Sequence, residues 1–210
     1  MSQKERTLRT ILEDGIIAVI REENPDDVPP LIESFKESGI TTIEITLTTP
    51  EALNLIARYS DDPEILVGVG SLVRHEDAES LFAAGAQFYA SPCTDRTLIA
   101  AAHEADVVAI PGGLTPNEIY NAYREGADLI KVFPMPENGI SYLRSLLAPL
   151  PGLSLAPSGG ITDRTAGPLR KAGAAALNVG SWLTPMCDTL EKRVEETRRR
   201  GRRLRESLLT

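Results

Sequence analysis

The sequence predicts one α/β domain, a closed (β/α)8 TIM barrel with an extra N-terminal helix. Two observations lead there: eight short apolar, β-branched runs recur along the 210 residues, and amphipathic segments separate them. The runs are IIAVI (16–20), TIEITL (42–47), EILVGVG (64–70), QFYASP (87–92), VVAIPG (107–112), LIKVFP (129–134), LSLAPSG (153–159) and ALNVGSW (176–182). Strands that alternate with helices pair in parallel through crossovers, and eight such units close on themselves. An open, doubly wound sheet is the alternative. Even spacing without a long insertion favours closure.

The elements between the runs follow helical rules. Asp26 and Asp27 open the first segment, in which Val28, Leu31, Ile32 and Phe35 recur at helical spacing. Four segments end at Gly39, Gly85, Gly126 and Gly173, each placed for a left-handed C-cap before the next strand. Residues 5–13 form the extra helix, expected to cover the barrel floor. No linker or low-complexity tract divides the chain, so residues 1–210 read as one domain.

Composition narrows the function. No stretch of 18 apolar residues exists, so no helical membrane span is expected. The opening MSQKERTLRTILEDG lacks the apolar core of a signal peptide, and the expected location is the cytoplasm. A net charge of −8 argues against nucleic acid as a partner. The arginine-rich stretch from Lys192 to Arg205 reads as a solvated helix, with interleaved glutamates as ion-pair partners. The two cysteines, Cys93 and Cys187, form no C-x-x-C pair, and the two histidines, His75 and His103, sit on separate segments. A disulfide framework or a histidine-rich metal site is therefore not expected, and no metal or organic cofactor is invoked.

Polar residues inside the runs point to chemistry. In the second run Ile43, Ile45 and Leu47 share one face, which meets helices. Thr42, Glu44, Thr46 and Thr48 then face the interior, where an unpaired carboxylate is costly and needs a partner or a proton. Lys131 in the sixth run shares parity with Leu129 and Phe133, so it too points inward. Burial among apolar groups favours the neutral amine, a nucleophile toward ketones. A structural ion pair with Glu44 accounts for the same two residues, and these residues alone leave both readings open. Gly159, Gly160, Gly180 and Ser181 fall where the last two strands end, at the mouth where barrels bind phosphate. Tight turns are the alternative there.

Taken together these runs resemble the 2-keto-3-deoxy-6-phosphogluconate aldolase family, from about Gly15 to Leu183. The matching segments are IEITL, VGVGS, ASP (90–92), IPG (110–112), IKVFP, PSGGI and VGSWL, in the family's order. The resemblance implies a Schiff-base lysine at Lys131, a general acid/base at Glu44 and a pocket-lining Phe133. It also implies carboxylate contacts near Ser71 and Pro92, and phosphate contacts from Ser158, Gly159, Gly160, Gly180 and Ser181. Well-known members carry a carboxylate-binding arginine where this chain has Thr48. Here Arg21, at the end of the first run, is expected to take that anion, as in members that lack the other arginine. Met135-Pro136 and Cys93 depart from the pattern as well. The implied reaction is cleavage of a phosphorylated 2-keto-3-deoxy sugar acid to pyruvate and an aldehyde, in a homotrimer. A phosphosugar isomerase and a non-catalytic phosphosugar-binding barrel are the rivals; the first does not explain a lysine inside the sixth run, and the second predicts no covalent trapping.

Overall fold

A computed structural model describes residues 1–209. The chain opens with α1 (Gln3–Asp14), then β1 (Ile16–Ile20), α2 (Val28–Glu37), β2 (Thr42–Thr46), α3 (Ala52–Tyr59), β3 (Leu66–Gly70) and α4 (Ala78–Ala83). It continues with β4 (Phe88–Ala90), α5 (Arg96–Glu104), β5 (Val108–Ile110), β6 (Gly112–Gly113), α6 (Pro116–Arg124) and β7 (Ile130–Val132). The last elements are α7 (Gly139–Leu147), β8 (Leu155–Pro157), α8 (Asp163–Lys171), β9 (Leu177–Val179) and α9 (Leu190–Leu209). Each of the eight apolar runs contains a strand. The fifth is split into β5 and β6, because Pro111 has no N–H to donate to a ladder.

All strand pairs are parallel. One sheet has the order β5-β4-β3-β2-β1-β9 and the other β6-β7-β8. Hydrogen bonds also cross the two seams. Lys131 N donates to Pro111 O at 2.9 Å, Ala175 N donates to Leu155 O at 2.8 Å, and Ser158 bridges Asn178. The result is a curled parallel sheet with helices outside.

Strand parity divides the core in two. Ile43, Ile45, Ile130, Val132, Leu177 and Val179 pack outward against the helices. Ile17, Phe88, Ala90, Val108, Leu129 and Ala156 fill the interior, and Ile11 of α1 joins them. The extra helix therefore lies on the interior, as expected, and begins two residues earlier than the sequence suggested. Ser2 and Glu5 explain the earlier start, since together they form a capping box. The start of α2 also differs. Asp27 makes no cap bond; Asn24 instead accepts from Asp26 N, at 3.2 Å, and a 3-10 turn over Pro25–Asp27 leads into the helix.

The arginine-rich α9 departs furthest from expectation. Some of its pairs are internal, and hydrogen bonds from Arg199 and Arg200 draw the Glu196 carboxyl down to about 2. Others reach the body of the protein: Arg193 to Glu22, Arg198 to Glu37, Arg203 to Asp163 and Arg205 to Asp14. Arg193 and Glu22 are both buried, with fork bonds of 2.6 and 2.7 Å. Arg200 donates to Trp182 O at 2.6 Å and lies over the indole ring. One helix thus holds the loop after β1 and the turn after β9, both at the C-terminal ends of the strands.

Candidate active site

A cleft of about 580 Å³ opens at those strand ends. A hollow of about 670 Å³ lies elsewhere, against α1, and is lined by Gln3, Arg6, Thr10 and Gln87. Despite its size it holds no lysine, whereas Lys131 lies in the cleft.

Lys131 is buried on β7, and the inward parity of that strand aims its amine at the interior. Its Nζ stands 3.6 Å from Glu44 Oε1 and 5.6 Å from the Phe133 ring centroid. The first distance is within ion-pair range but too long for a hydrogen bond. Glu44, on β2, has no exposed surface, as the alternation of the second run requires. Its Oε2 accepts from Asn178 Nδ2 at 2.5 Å, while Oε1 has no hydrogen-bond partner. Gly70, beside it on β3, leaves the room this carboxylate occupies: a Cβ there would stand 2.6 Å from Glu44 Cγ.

The rest of the cleft divides by chemistry. Arg21 is exposed at the end of β1, and its Nη2 donates to Ser71 Oγ at 3.3 Å. Ser71 holds a left-handed φ of 59°. Pro92 and Phe133 line the same space. Across it, Gly159 and Gly160 take φ of 103° and 65° just before α8, whose N-terminus is capped by Thr162. Ser158, Gly180 and Ser181 complete that wall. At Gly180 the backbone is ordinary, and a Cβ would make only a van der Waals contact with Val19 at 3.6 Å. Neither strain nor crowding therefore demands glycine there.

A family model described as KDPG and KHG aldolase matches residues 8–197. The 2-dehydro-3-deoxy-phosphogluconate aldolase of Pseudomonas aeruginosa is 29% identical over 189 residues, covering 88% of this chain and 86% of that one. The chain belongs to the KDPG and KHG aldolase family. Among solved structures, the 4-hydroxy-2-oxoglutarate/2-dehydro-3-deoxyphosphogluconate aldolase from TTHB1 superposes with a TM-score of 0.84 at 27% identity, covering 96% of this chain and 98% of that one. The KDPG aldolase of Legionella pneumophila, with pyruvate captured as a covalent carbinolamine, gives 0.77 at 25% identity, covering 97% and 96%.

The aldolase thus carries most of the expected site residues around one cleft. Arg21, Ser71, Pro92, Lys131, Phe133, Ser158, Gly159, Gly160, Gly180 and Ser181 line it, and Glu44 lies buried within ion-pair range of Lys131. Thr48 is not brought in. It is exposed in the turn after β2, and its hydroxyl bonds Thr46 at 2.9 Å. The strand ends at Thr46, so the inward alternation that placed Thr48 stops two residues short. Two polar residues near the site escaped the sequence reading. Arg193 lines the cleft although it sits on α9, far along the chain, and no local pattern announces that. Asn178 did carry a signal, a polar side chain at the inward parity of an apolar strand, the same signal that singled out Glu44.

Proposed function

We propose that this aldolase reversibly cleaves 2-keto-3-deoxy-6-phosphogluconate, or a close 2-keto-3-deoxy acid, through a Schiff base on Lys131. The products are pyruvate and an aldehyde such as glyceraldehyde 3-phosphate. The observation that carries the reading is the pair itself, a buried lysine that lines the cleft and stands 3.6 Å from a fully buried glutamate. The amine lines the cleft, where a ketone can reach it, and a pair kept only for stability does not need that access. We read the curled sheet, with its hydrogen-bonded seams, as a closed eight-stranded barrel in one domain that assembles as a cytoplasmic homotrimer. Light scattering at micromolar protein is expected to give the trimer mass; a monomer would refute that assembly.

In the proposed sequence the amine of Lys131 adds to the 2-keto carbon as a carbinolamine. Loss of water gives a protonated imine, an electron sink. Glu44 takes the proton from the C4 hydroxyl, the C3–C4 bond breaks into the imine, and the aldehyde leaves. The enamine left on Lys131 takes a proton at C3, with Glu44 as the acid. Water then hydrolyses the imine and releases pyruvate. One carboxylate serves as base and then acid, so its placement matters at both steps. The remote phosphate, held at Ser158, Gly159, Gly160, Gly180 and Ser181, fixes the reacting carbons through binding energy.

Pyruvate with borohydride tests the Schiff base without knowledge of the sugar. One pyruvate-derived mass should appear on the chain. A phosphosugar isomerase or a binding barrel would show none. Activity should also survive exhaustive chelation, since no step uses a metal; a loss restored by a divalent ion would point to a metal-dependent aldolase.

The site reads as two anion ends. We assign the substrate carboxylate to Arg21, whose guanidinium is held over Ser71 and lines the cleft. Thr48 stays outside it, as a small hydroxyl where well-known members bring an arginine. Arg21→Ala is expected to cost about 2–4 kcal/mol, roughly 30- to 1000-fold in kcat/KM, from loss of a charge-assisted contact. The loss should be equal for phosphorylated and unphosphorylated keto acids. Gly180→Asp should penalise the phosphorylated ones most, through like-charge repulsion. Unchanged kinetics in Arg21→Ala would hand carboxylate recognition to the backbone near Ser71 and Pro92.

A further inference from the structure

We infer that Asn178 is a positioning residue for the acid/base carboxylate: its amide holds one oxygen of Glu44 so that the other faces Lys131. The inference rests on the roles proposed above for Lys131 and Glu44. Asn178 is 1% exposed and sits in β9 between Leu177 and Val179, which pack outward. Its own side chain points inward. Strand β9 pairs with β1, placing Asn178 opposite Ile17, and β1 pairs with β2, placing Glu44 opposite Val19. The amide thus reaches Glu44 across an intervening strand whose inward residues are apolar.

The contact has one chemical sense. A carboxylate oxygen only accepts, so the NH2 end must face Glu44 Oε2, to which it donates. The opposite ends are both open: Asn178 Oδ1 and Glu44 Oε1 are buried without hydrogen-bond partners. A fold that sought only to fill this space would use an apolar residue at 178 and avoid a buried, unpartnered amide oxygen. What the asparagine adds is a fixed orientation. With Oε2 held by β9 and Cβ-free Gly70 beside Oε1, the carboxylate presents one oxygen toward Lys131 Nζ at 3.6 Å. That oxygen is the one free to take a proton from the C4 hydroxyl and return one to the enamine carbon.

The test compares wild type with Asn178→Ala and Asn178→Leu in three measurements. The first is the mass added by pyruvate with borohydride, the second deuterium uptake into the methyl group of pyruvate, and the third kcat and KM for cleavage of 2-keto-3-deoxy-6-phosphogluconate. Both variants should still be labelled at Lys131, because the amine is untouched. Deuterium uptake and kcat, which need the carboxylate to move protons, should fall together by about 10- to 100-fold while KM moves less than about 3-fold. Leucine keeps asparagine's branched skeleton, with bulkier methyl ends, but donates nothing and excludes water; alanine leaves room for a water that can donate instead. Asn178→Leu should therefore be the worse of the two in deuterium uptake. A packing role predicts the reverse order, since alanine leaves the larger hole. If the leucine variant does not fold, the split between labelling and uptake in Asn178→Ala decides alone. Uptake within 2-fold of wild type in Asn178→Ala, or losses in the packing order, would overturn the inference while leaving the Schiff base standing. A wild-type chain that takes no label at Lys131 would overturn both.

Discussion

Replacing Lys131 by arginine is expected to abolish both labelling by pyruvate and cleavage, with turnover down by about 10⁴-fold or more. Arginine keeps a positive charge opposite Glu44, so the buried carboxylate retains a counter-ion. Its guanidinium does not lose a proton near neutral pH and so supplies no free amine to a ketone. The variant therefore separates the two readings that the sequence left open. A lysine kept as the ionic partner of Glu44 tolerates arginine; a nucleophile does not. Other lysines are poor substitutes. Lys36 is drawn up from its ordinary value by hydrogen bonds to Glu64 and Asp62 and stays an ammonium. Lys4 is paired with Asp128 and Lys192 with Asp188. Intact-mass measurement after borohydride, followed by peptide mapping, reads the result directly. Label retained in Lys131→Arg, or found on another lysine in wild type, would end the assignment.

How much of this was legible beforehand depends on the range of the interaction. Strand parity is local: with period two, one polar residue in an apolar run declares its face, and Glu44 and Lys131 were found that way. The helix ends at Gly39, Gly85, Gly126 and Gly173 were equally local, and all four take a left-handed φ. Parity failed at Thr48 because it holds only while the strand lasts, and β2 stops at Thr46. The fifth run broke at Pro111, a residue whose missing N–H was in plain view. Two pairings between residues distant in sequence went unread. Arg193 and Glu22 lie 171 residues apart, and Asn178 and Glu44 lie 134 apart. A mixed-sign helix looks the same from its sequence whether its arginines meet neighbours one turn away or a buried glutamate in the loop after β1. The α9 stretch was therefore read as solvated, when one of its charges belongs to the interior.

Gly70→Ala is expected to be the second most damaging single change to activity, although it adds one methyl group. A Cβ at 70 would overlap Glu44 Oε1 and stand 2.6 and 2.7 Å from its Cγ and Cδ, closer than real Cβ atoms come. Gly70 has no left-handed φ, so the alanine backbone fits β3 and the conflict is confined to the side chains. Something must give, and it is the carboxylate, since β3 is locked to β2 by a continuous register from Thr42–Leu66 to Thr46–Gly70. Glu44 then leaves either its hydrogen bond to Asn178 or its place facing Lys131. Either displacement removes the proton-transfer group, and kcat should fall by about 10³-fold, inside the range for loss of a general acid/base. Gly68→Ala serves as the contrast on the same strand. It pairs with Glu44 in the ladder, but the nearest atoms its Cβ would meet belong to the Phe88 ring, at 2.5 Å, and not to the carboxylate. Overpacking there should cost about 1–3 kcal/mol of stability. At a temperature where the protein stays folded, deuterium uptake per labelled chain should remain that of wild type. In Gly70→Ala that ratio should collapse even where the melting temperature barely moves. If both alanines lower activity only in proportion to stability, the glycine at 70 is a packing residue, and the space it leaves for Glu44 has no part in the chemistry.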